Sequence, residues 1–202
     1  MESTSVTAAD ASRVWPALLD AHRAYQAAVS PAYDEVLWEV AQRAEDTGSL
    51  GKVDIGALVA WKRLSARTPW MAELMGLPDA QIRSITKRGM EAVRDSSLSR
   101  AEAARKGRSV VWELPGCRTG DALASTLLTA AAPHRMAVYD RRVHDALAAL
   151  GLDLTNGSGR YGRYMYLLDG LLAQRDRLAV DWTARDIDIA LYWLGAPGPE
   201  PS

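Results

Sequence analysis

The sequence predicts an all-α protein, a single helical domain of about eight to ten helices over residues 1–195. Three observations support this fold class. Apolar residues recur at steps of three and four in successive segments, for example over 14–25 and 160–177. Residues that favour helix starts precede most of these segments. A run at 109–112 could be extended, but it is too short to build a sheet alone.

Five helices are expected in the first half of the chain. The first begins near Asp10, and the second begins at Pro31. Asp54 is a plausible N-cap for the third, whose apolar residues surround the helix almost completely and therefore predict a central position. The Thr-Pro pair at 68–69 and the Leu-Pro pair at 77–78 predict the starts of two more, because proline suits the first helical turn.

Five further helices are expected in the second half. Ser99, with a glutamate three residues later, fits a capping box. Thr119 and Asp140 are candidate caps of the next two helices, and the apolar spacing over 160–177 predicts another. Thr183 is the candidate cap of the last helix.

Composition points to a reducing compartment. Cys117 is the single cysteine, so the chain can form neither an internal disulfide nor a four-cysteine iron–sulfur cluster. The N-terminus lacks a basic segment followed by an apolar run, and no stretch approaches the ~20 apolar residues of a membrane span. We therefore expect a cytoplasmic protein with no membrane association. The Pro- and Gly-rich tail at 196–202 is expected to be disordered.

The charges are distributed unevenly along the chain. The net charge is −1, but residues 1–60 carry a net of −5 and residues 61–202 a net of +4. Such a split is compatible with a side that faces nucleic acid and a side that faces solvent. It also arises in proteins that bind no nucleic acid, so the charge alone does not decide the partner.

The stretch from 114 to 151 resembles the helix-hairpin-helix DNA glycosylase superfamily. It begins with a Leu-Pro-Gly turn at 114–116, where proline fixes φ and glycine tolerates a positive φ. A helix of small residues and leucines follows, then Val-Tyr-Asp at 138–140, and then apolar residues at Val143, Leu147 and 150–152. The resemblance covers about a fifth of the chain. It implies a helix-hairpin-helix followed by a helix of the catalytic type.

Site residues follow from this resemblance. In the family the hairpin backbone holds a DNA phosphate, which assigns Gly116, Arg118 and Thr119 to DNA binding, and the aspartate serves catalysis, which assigns that role to Asp140. Two departures matter. Arg118 stands where the second hairpin glycine usually lies, so a guanidinium could replace one amide contact to phosphate. Gly120 stands where bifunctional members carry a lysine, which rules out Schiff-base chemistry at that position.

Each remaining candidate has a structural alternative. Asp140 could simply cap its helix. Arg141 and Arg142 at the start of that helix could contact phosphate or could be solvated. Arginines and tyrosines alternate at steps of three over 160–164. These side chains could bind a nucleic-acid strand, or the tyrosines could form part of the core. From these patterns we also select Arg160 and Arg163 for DNA binding, and Trp61 and Tyr161 as weaker candidates for a base pocket.

The sequence therefore supports one leading hypothesis and one main alternative. The first is a monofunctional, DNA-repair-like glycosylase that flips out a damaged or modified base of double-stranded DNA and hydrolyses its N-glycosidic bond. The second is a catalytically inactive helix-hairpin-helix domain that binds DNA or a protein partner. An all-α enzyme of unrelated chemistry also stays open. Neither a metal nor an organic cofactor is expected.

Overall fold

The computed structural model describes residues 7–196, and its regular structure there is helical throughout. This confirms the predicted all-α fold class. The six residues before Thr7 and the last six of the proposed tail lie outside the described chain. The ten α-helices of residues 7–196 are α1 (Ala8–Ala28), α2 (Glu35–Thr47), α3 (Lys52–Trp61), α4 (Pro69–Gly76), α5 (Asp79–Arg94), α6 (Arg100–Val111), α7 (Ala122–Ala131), α8 (Arg141–Ala149), α9 (Arg160–Leu172) and α10 (Ala184–Leu194).

Several helix starts agree with the predicted capping residues. Ser99 forms the capping box, because its hydroxyl accepts from the Glu102 amide at 3.3 Å and its own amide donates to the Glu102 carboxylate at 3.0 Å. Thr183 is the N-cap of α10, and its amide and hydroxyl both donate to Asp186 at 2.7 Å. Asp140 caps α8, since its carboxylate accepts from the Val143 amide at 3.0 Å.

Three local predictions were wrong. The run 109–112 is helical, forming the end of α6 and its C-cap. Asp54 is the third residue of α3 rather than its cap, and its carboxylate reaches back to the Gly51 amide at 2.8 Å. Thr119 does not cap α7, which begins at Ala122 after Asp121. All three errors concern where a helix begins or ends.

α7 lies at the centre of the fold. All of its residues from Leu123 to Ala131 are buried, and it packs against α2, α3, α5 and α6. A helix that is buried on every side is stable only when other helices surround it. The first and last helices of the described residues pack against each other, α1 along α10. The buried apolar side chains form one cluster that includes residues of all ten helices described, as expected for a single domain.

Small residues allow α5 and α6 to approach closely. A Cβ added to Gly107 would lie 2.6 Å from Cγ1 of Val93, so no larger residue fits there without a shift. α6 also packs against α9, and these two helices lie beside the hairpin that connects α6 with α7. No helix within residues 7–196 is long and apolar enough to cross a membrane.

The segment that leads to Asp140 is held from three sides. Tyr161 of α9 donates to the Ala137 carbonyl at 2.9 Å. The Val138 amide donates to Asp188 of α10 at 3.0 Å, and the Tyr139 amide donates to the Ser125 hydroxyl of α7 at 2.9 Å. Buried backbone groups need such partners. The start of α8 is therefore fixed relative to α7, α9 and α10.

Candidate functional site

The hairpin between α6 and α7 forms the tight turn that the sequence predicts. The Cys117 amide donates to the Leu114 carbonyl at 3.1 Å, and Gly116 has a φ of +84°. A Cβ on Gly116 would lie 2.6 Å from the ring of Trp70, so this glycine is also required for packing. Cys117 is buried, and burial raises the pKa of its thiol to about 12. The turn thus presents the next residues, Arg118 and Thr119, at the surface.

These residues form one side of an open groove of about 570 Å³, which we call the arginine groove. α6 forms the second side, and the start of α9 with its preceding loop forms the third. Of the predicted DNA-binding residues, the structure brings together Arg118, Thr119 and Arg160 here. Tyr161, a candidate for the base pocket, also lines the groove. Residues that the sequence argument did not select complete the lining, namely Arg105, Arg108, Ser109, Trp112, Gly120, Asp121, Gly157, Ser158, Gly159 and Gly162.

The arginine groove carries an excess of positive charge. Its lining contains four arginines and one carboxylate, that of Asp121. Arg108 contacts this carboxylate at 2.7 Å and Arg160 at 2.9 Å, so two cations share one anion. Arg118 lies 3.7 Å from Glu73 outside the groove. Trp112 is 53% exposed and offers an aromatic face at the groove.

Arg163 occupies a different position from the one we predicted. It is not part of the groove lining, although it follows Arg160 by one helical turn. Its guanidinium donates to the carbonyls of Ser158 at 2.7 Å and Thr155 at 2.8 Å. Arg163 therefore fixes the glycine-rich loop before α9, and this loop is one wall of the groove.

Asp140 is paired with a lysine from a distant part of the chain. Its carboxylate contacts the ammonium group of Lys62, the residue that follows α3, 78 positions earlier. The side chains of Asp140 and Lys62 are only 14% and 12% exposed. The cap and the ion pair together hold the Asp140 carboxylate in one orientation. Lys62 is the middle residue of the sequence Trp61-Lys62-Arg63, and no local pattern in the sequence links it with Asp140.

Tyr139 connects Asp140 with the arginine groove. The guanidinium carbon of Arg160 lies 5.2 Å from the centre of the Tyr139 ring, a cation–π geometry. The Tyr139 hydroxyl is 3.0 Å from Nδ1 of His144, one turn into α8. Burial raises the pKa of Tyr139 to about 12. The groove arginine Arg160 thus contacts the residue that directly precedes the candidate catalytic carboxylate of Asp140.

Arg141 and Arg142 lie at the start of α8, outside the arginine groove. Arg141 is exposed to solvent. The guanidinium of Arg142 lies 4.8 Å from the ring centre of Tyr192 in α10, and the Lys62 ammonium lies 4.6 Å from the same ring. Tyr192 therefore lies beside both cations and next to the Lys62–Asp140 pair.

The two candidates for a base pocket do not share a cavity. Tyr161 contributes to the groove lining, but its side chain is almost completely buried and its hydroxyl bonds to the Ala137 carbonyl. Trp61 is 6% exposed, donates to Asp34 at 3.0 Å, and lines a small, partly open cavity beside Lys62. Core packing therefore accounts for Tyr161, whereas Trp61 faces a space next to the ion pair.

Residues 7–196 contain no group of three His, Cys, Asp or Glu side chains arranged to hold a metal ion. Comparison with protein-family models, curated proteins and solved structures finds no match to this chain. The site is therefore interpreted from its own geometry. It consists of an open cationic groove, a shielded lysine–aspartate pair, and a tyrosine that joins the two.

Proposed function

We propose that this protein is a cytoplasmic, DNA-repair-like glycosylase that binds double-stranded DNA along the arginine groove. In this proposal Asp140 assists hydrolysis of the N-glycosidic bond of a damaged or modified nucleotide that has left the base stack. The observation that carries the proposal is the position of Asp140. Its carboxylate is held at a helix start against Lys62, one residue from Tyr139, which packs on Arg160 of the groove.

The chemistry requires a fixed carboxylate near the sugar. When the bond from C1′ to the base breaks, its electron pair leaves with the base and positive charge develops on the deoxyribose. A carboxylate stabilises that charge and can accept a proton from the water that attacks C1′. The proton is finally transferred to the departing base. Lys62 and the Val143 amide hold Asp140 in place for this role before the substrate arrives.

The arginine groove supplies the affinity that this reaction needs. Guanidinium groups bind phosphate oxygens well because their planar donors match the geometry of the anion. Phosphate contacts position a protein on DNA without reading its sequence. The groove has three more cations than carboxylates in its lining, which suits a phosphate backbone. Arg141, exposed at the start of α8, would extend the cationic surface beyond Asp140.

One observation favours the second candidate, a helix-hairpin-helix protein that binds DNA, or a protein partner, without cleavage. The charges of Asp140 and Lys62 already neutralise each other, and both side chains are largely shielded from solvent. In this case the pair would stabilise the fold and the groove alone would bind. Gly120 in the hairpin is compatible with either candidate, since a monofunctional glycosylase needs no hairpin lysine.

The experiment that separates these candidates is equilibrium binding to two short duplexes. One is undamaged, and the other carries a cationic pyrrolidine in place of one nucleotide, which imitates the charged sugar of the transition state. A glycosylase binds the pyrrolidine duplex at least tenfold more tightly. The Asp140→Asn variant should lose this preference but keep its affinity for undamaged DNA, because asparagine still caps α8.

Asp145→Asn is the matched control, since it removes an exposed carboxylate from the same helix. It should keep the preference for the pyrrolidine duplex. Equal, salt-sensitive binding of both duplexes by the wild-type protein would support the non-catalytic DNA-binding candidate. Absence of binding to either duplex would overturn both DNA-based proposals and leave the protein partner.

A further inference from the structure

Trp112 is an exposed tryptophan at the arginine groove whose ring has no partner. It is the C-cap residue of α6, and 53% of its surface is exposed. In the part of the chain that the structure describes, no aromatic ring and no cation packs against it. By contrast Trp38, which is also exposed, lies against His134 with 5.7 Å between the ring centres. The Trp112 ring is therefore accessible to a ligand that enters the groove.

Arg105 is an unpaired cation on the same side of the groove. Within residues 7–196 its guanidinium has no hydrogen-bond or ion-pair partner. Glu102, one turn earlier in α6, accepts a hydrogen bond from the Ser99 amide instead. The aliphatic stem of Arg105 occupies the space where a Cβ of Gly162 would lie, so the stem packs closely on the start of α9. The stem is thus held in place while the charge stays exposed to solvent.

Arg105 and Trp112 lie on one face of α6. They are seven positions apart, which is two helical turns, or about 10 Å along the helix axis. Ser109 lies between them and also lines the groove. This side of the groove therefore presents a cation, a hydroxyl group and an aromatic ring in a row. Such a row suits a ligand that carries an anionic group at one end and a flat ring at the other.

Arg108 and Arg160 retain donors for an anion although both are already paired. Arg108 donates through Nε to Asp121 and through Nη2 to the Gly120 carbonyl at 3.1 Å. Arg160 donates through Nε to Asp121 and through Nη1 to Asn156 at 2.9 Å. One nitrogen of each guanidinium, Nη1 and Nη2 respectively, has no partner in the described chain. Both arginines can therefore bind phosphate oxygens while they keep their shared carboxylate.

These groups together match an unpaired nucleotide better than a base-paired one. Grooves that bind single strands combine cations for the backbone with an aromatic side chain on which a base stacks, and every base has a π-face. In a continuous duplex the bases are stacked on one another, so the Trp112 ring would meet only sugars and phosphates. An acidic peptide would supply negative charge but not a flat ring beside each charge. The ring and the cations are therefore both used only by a strand with an unpaired base.

We propose that the arginine groove binds single-stranded DNA, with one unpaired base stacked on Trp112 and the neighbouring phosphates at Arg105, Arg108 and Arg160. The inference rests on the proposed function, because it uses the groove that we assign to the DNA backbone. It requires neither Asp140 nor removal of a base. DNA in which a single-stranded stretch adjoins a duplex would accordingly bind more tightly than a continuous duplex.

Fluorescence anisotropy with a short labelled single strand and the matching duplex tests this inference on the full chain. Trp112→Ala should weaken single-strand binding about tenfold, because a stacked base loses its aromatic partner, and should change duplex binding less than about twofold. Trp112→Phe keeps an aromatic face and should retain single-strand affinity within about threefold. Trp38→Ala is the matched control, since it removes an exposed tryptophan outside the groove, and both affinities should stay unchanged.

Two further measurements identify the bound group. Stacking quenches tryptophan fluorescence, so the single strand should quench the wild-type protein and Trp38→Ala but not Trp112→Phe, which still binds. Deoxyadenosine monophosphate, a free nucleotide with one phosphate, should compete with the single strand only weakly, because a strand contacts several arginines at once. Competition by the free nucleotide at the affinity of the strand would overturn the assignment to single-stranded DNA.

Two other results would contradict the inference. One is absence of single-strand binding by the wild-type protein. The other is a Trp112→Ala variant that loses affinity equally for single strand and duplex, or for neither. Failure of the proposed function gives a different pattern. If the pyrrolidine duplex is not preferred but single-strand binding depends on Trp112, the glycosylase proposal fails and this inference stands. If the pyrrolidine duplex is preferred but single strands do not bind, only this inference fails.

Discussion

The arginine groove and the shielded region around Lys62 differ in how completely their cations are paired with carboxylates. In the groove, Arg108 and Arg160 share the single carboxylate of Asp121, which leaves an excess of positive charge facing solvent. In the shielded region each cation has its own carboxylate, since Lys62 pairs with Asp140, and Arg185 pairs with Asp34 and Asp188. The first arrangement suits binding of an external anion. In the shielded region, the stability of the fold depends on each buried charge keeping its partner.

This difference predicts where a substitution affects stability and where it affects binding. A buried charge that loses its partner is strongly destabilising, whereas an exposed cation contributes little to folding. We therefore call Lys62, Asp140, Arg185, Asp188 and Asp34 the ion-paired centre. Changes there should alter the free energy of unfolding, and changes in the arginine groove should alter DNA affinity with little effect on folding.

The largest expected effect is that of Asp188→Ala on the free energy of unfolding. It would leave the buried Arg185 guanidinium without its closest carboxylate and the Val138 amide without an acceptor. We expect a loss of about 3–5 kcal/mol, measured by urea unfolding. Asp145→Ala, at an exposed position, should change stability by less than about 0.5 kcal/mol. A loss below about 1 kcal/mol for Asp188→Ala would show that the centre does not depend on pairing.

The next effect concerns alkaline pH. Burial raises the pKa of Tyr161 and Tyr164 above the ordinary value of 10.0. Their contribution to stability is fully present below pH 10 and is lost as pH rises, because only the unfolded chain releases these protons. The free energy of unfolding should fall above pH 10, by up to about 1.4 kcal/mol per pH unit for each tyrosine.

Tyr161→Phe checks this assignment. It removes one titrating group, so the fall in unfolding free energy between pH 10 and 11 should be smaller by about 1 kcal/mol than in the wild-type protein. An unchanged slope in this variant would mean that Tyr161 ionises equally in the folded and unfolded chains.

The smallest effects are expected in the arginine groove. If Arg105 and Arg118 contact phosphates, replacing each by alanine should lower the slope of log affinity against log salt by about one. Stability should change little, because both side chains are exposed. Arg23→Ala removes an exposed cation from α1, outside the groove, and should leave the slope unchanged. Equal slopes for all three variants and the wild type would contradict a role of the groove in phosphate binding.

Much of the fold follows from local rules. Apolar spacing predicted the helices, and side-chain chemistry predicted the caps at Ser99, Asp140 and Thr183. The wrong predictions arose where a longer-range contact overrides a local preference. Asp54 was chosen as a cap, but its carboxylate forms an ion pair with Arg43 at 2.7 Å and α3 begins two residues earlier. Helix boundaries of this kind depend on tertiary packing.

The candidate site was less predictable, because it is assembled from distant segments. Asp140 could be identified from the residues around it, but its partner Lys62 lies 78 positions away, just after the end of α3. Arg105 and Arg108 become groove residues only because α6 packs against α9. Arg163 was chosen for the same reason as Arg160, yet its donors bind backbone carbonyls. Spacing along one helix could not distinguish these two arginines.

The most direct test of the account compares stability and binding in the double variant Lys62→Met with Asp140→Asn. Removing both charges avoids an unpaired buried ion, so the double variant should be at least as stable as either single variant. We predict that it nevertheless lacks any preference for the pyrrolidine duplex over undamaged DNA. Retention of that preference in a folded double variant would show that the Lys62–Asp140 pair has only a structural role.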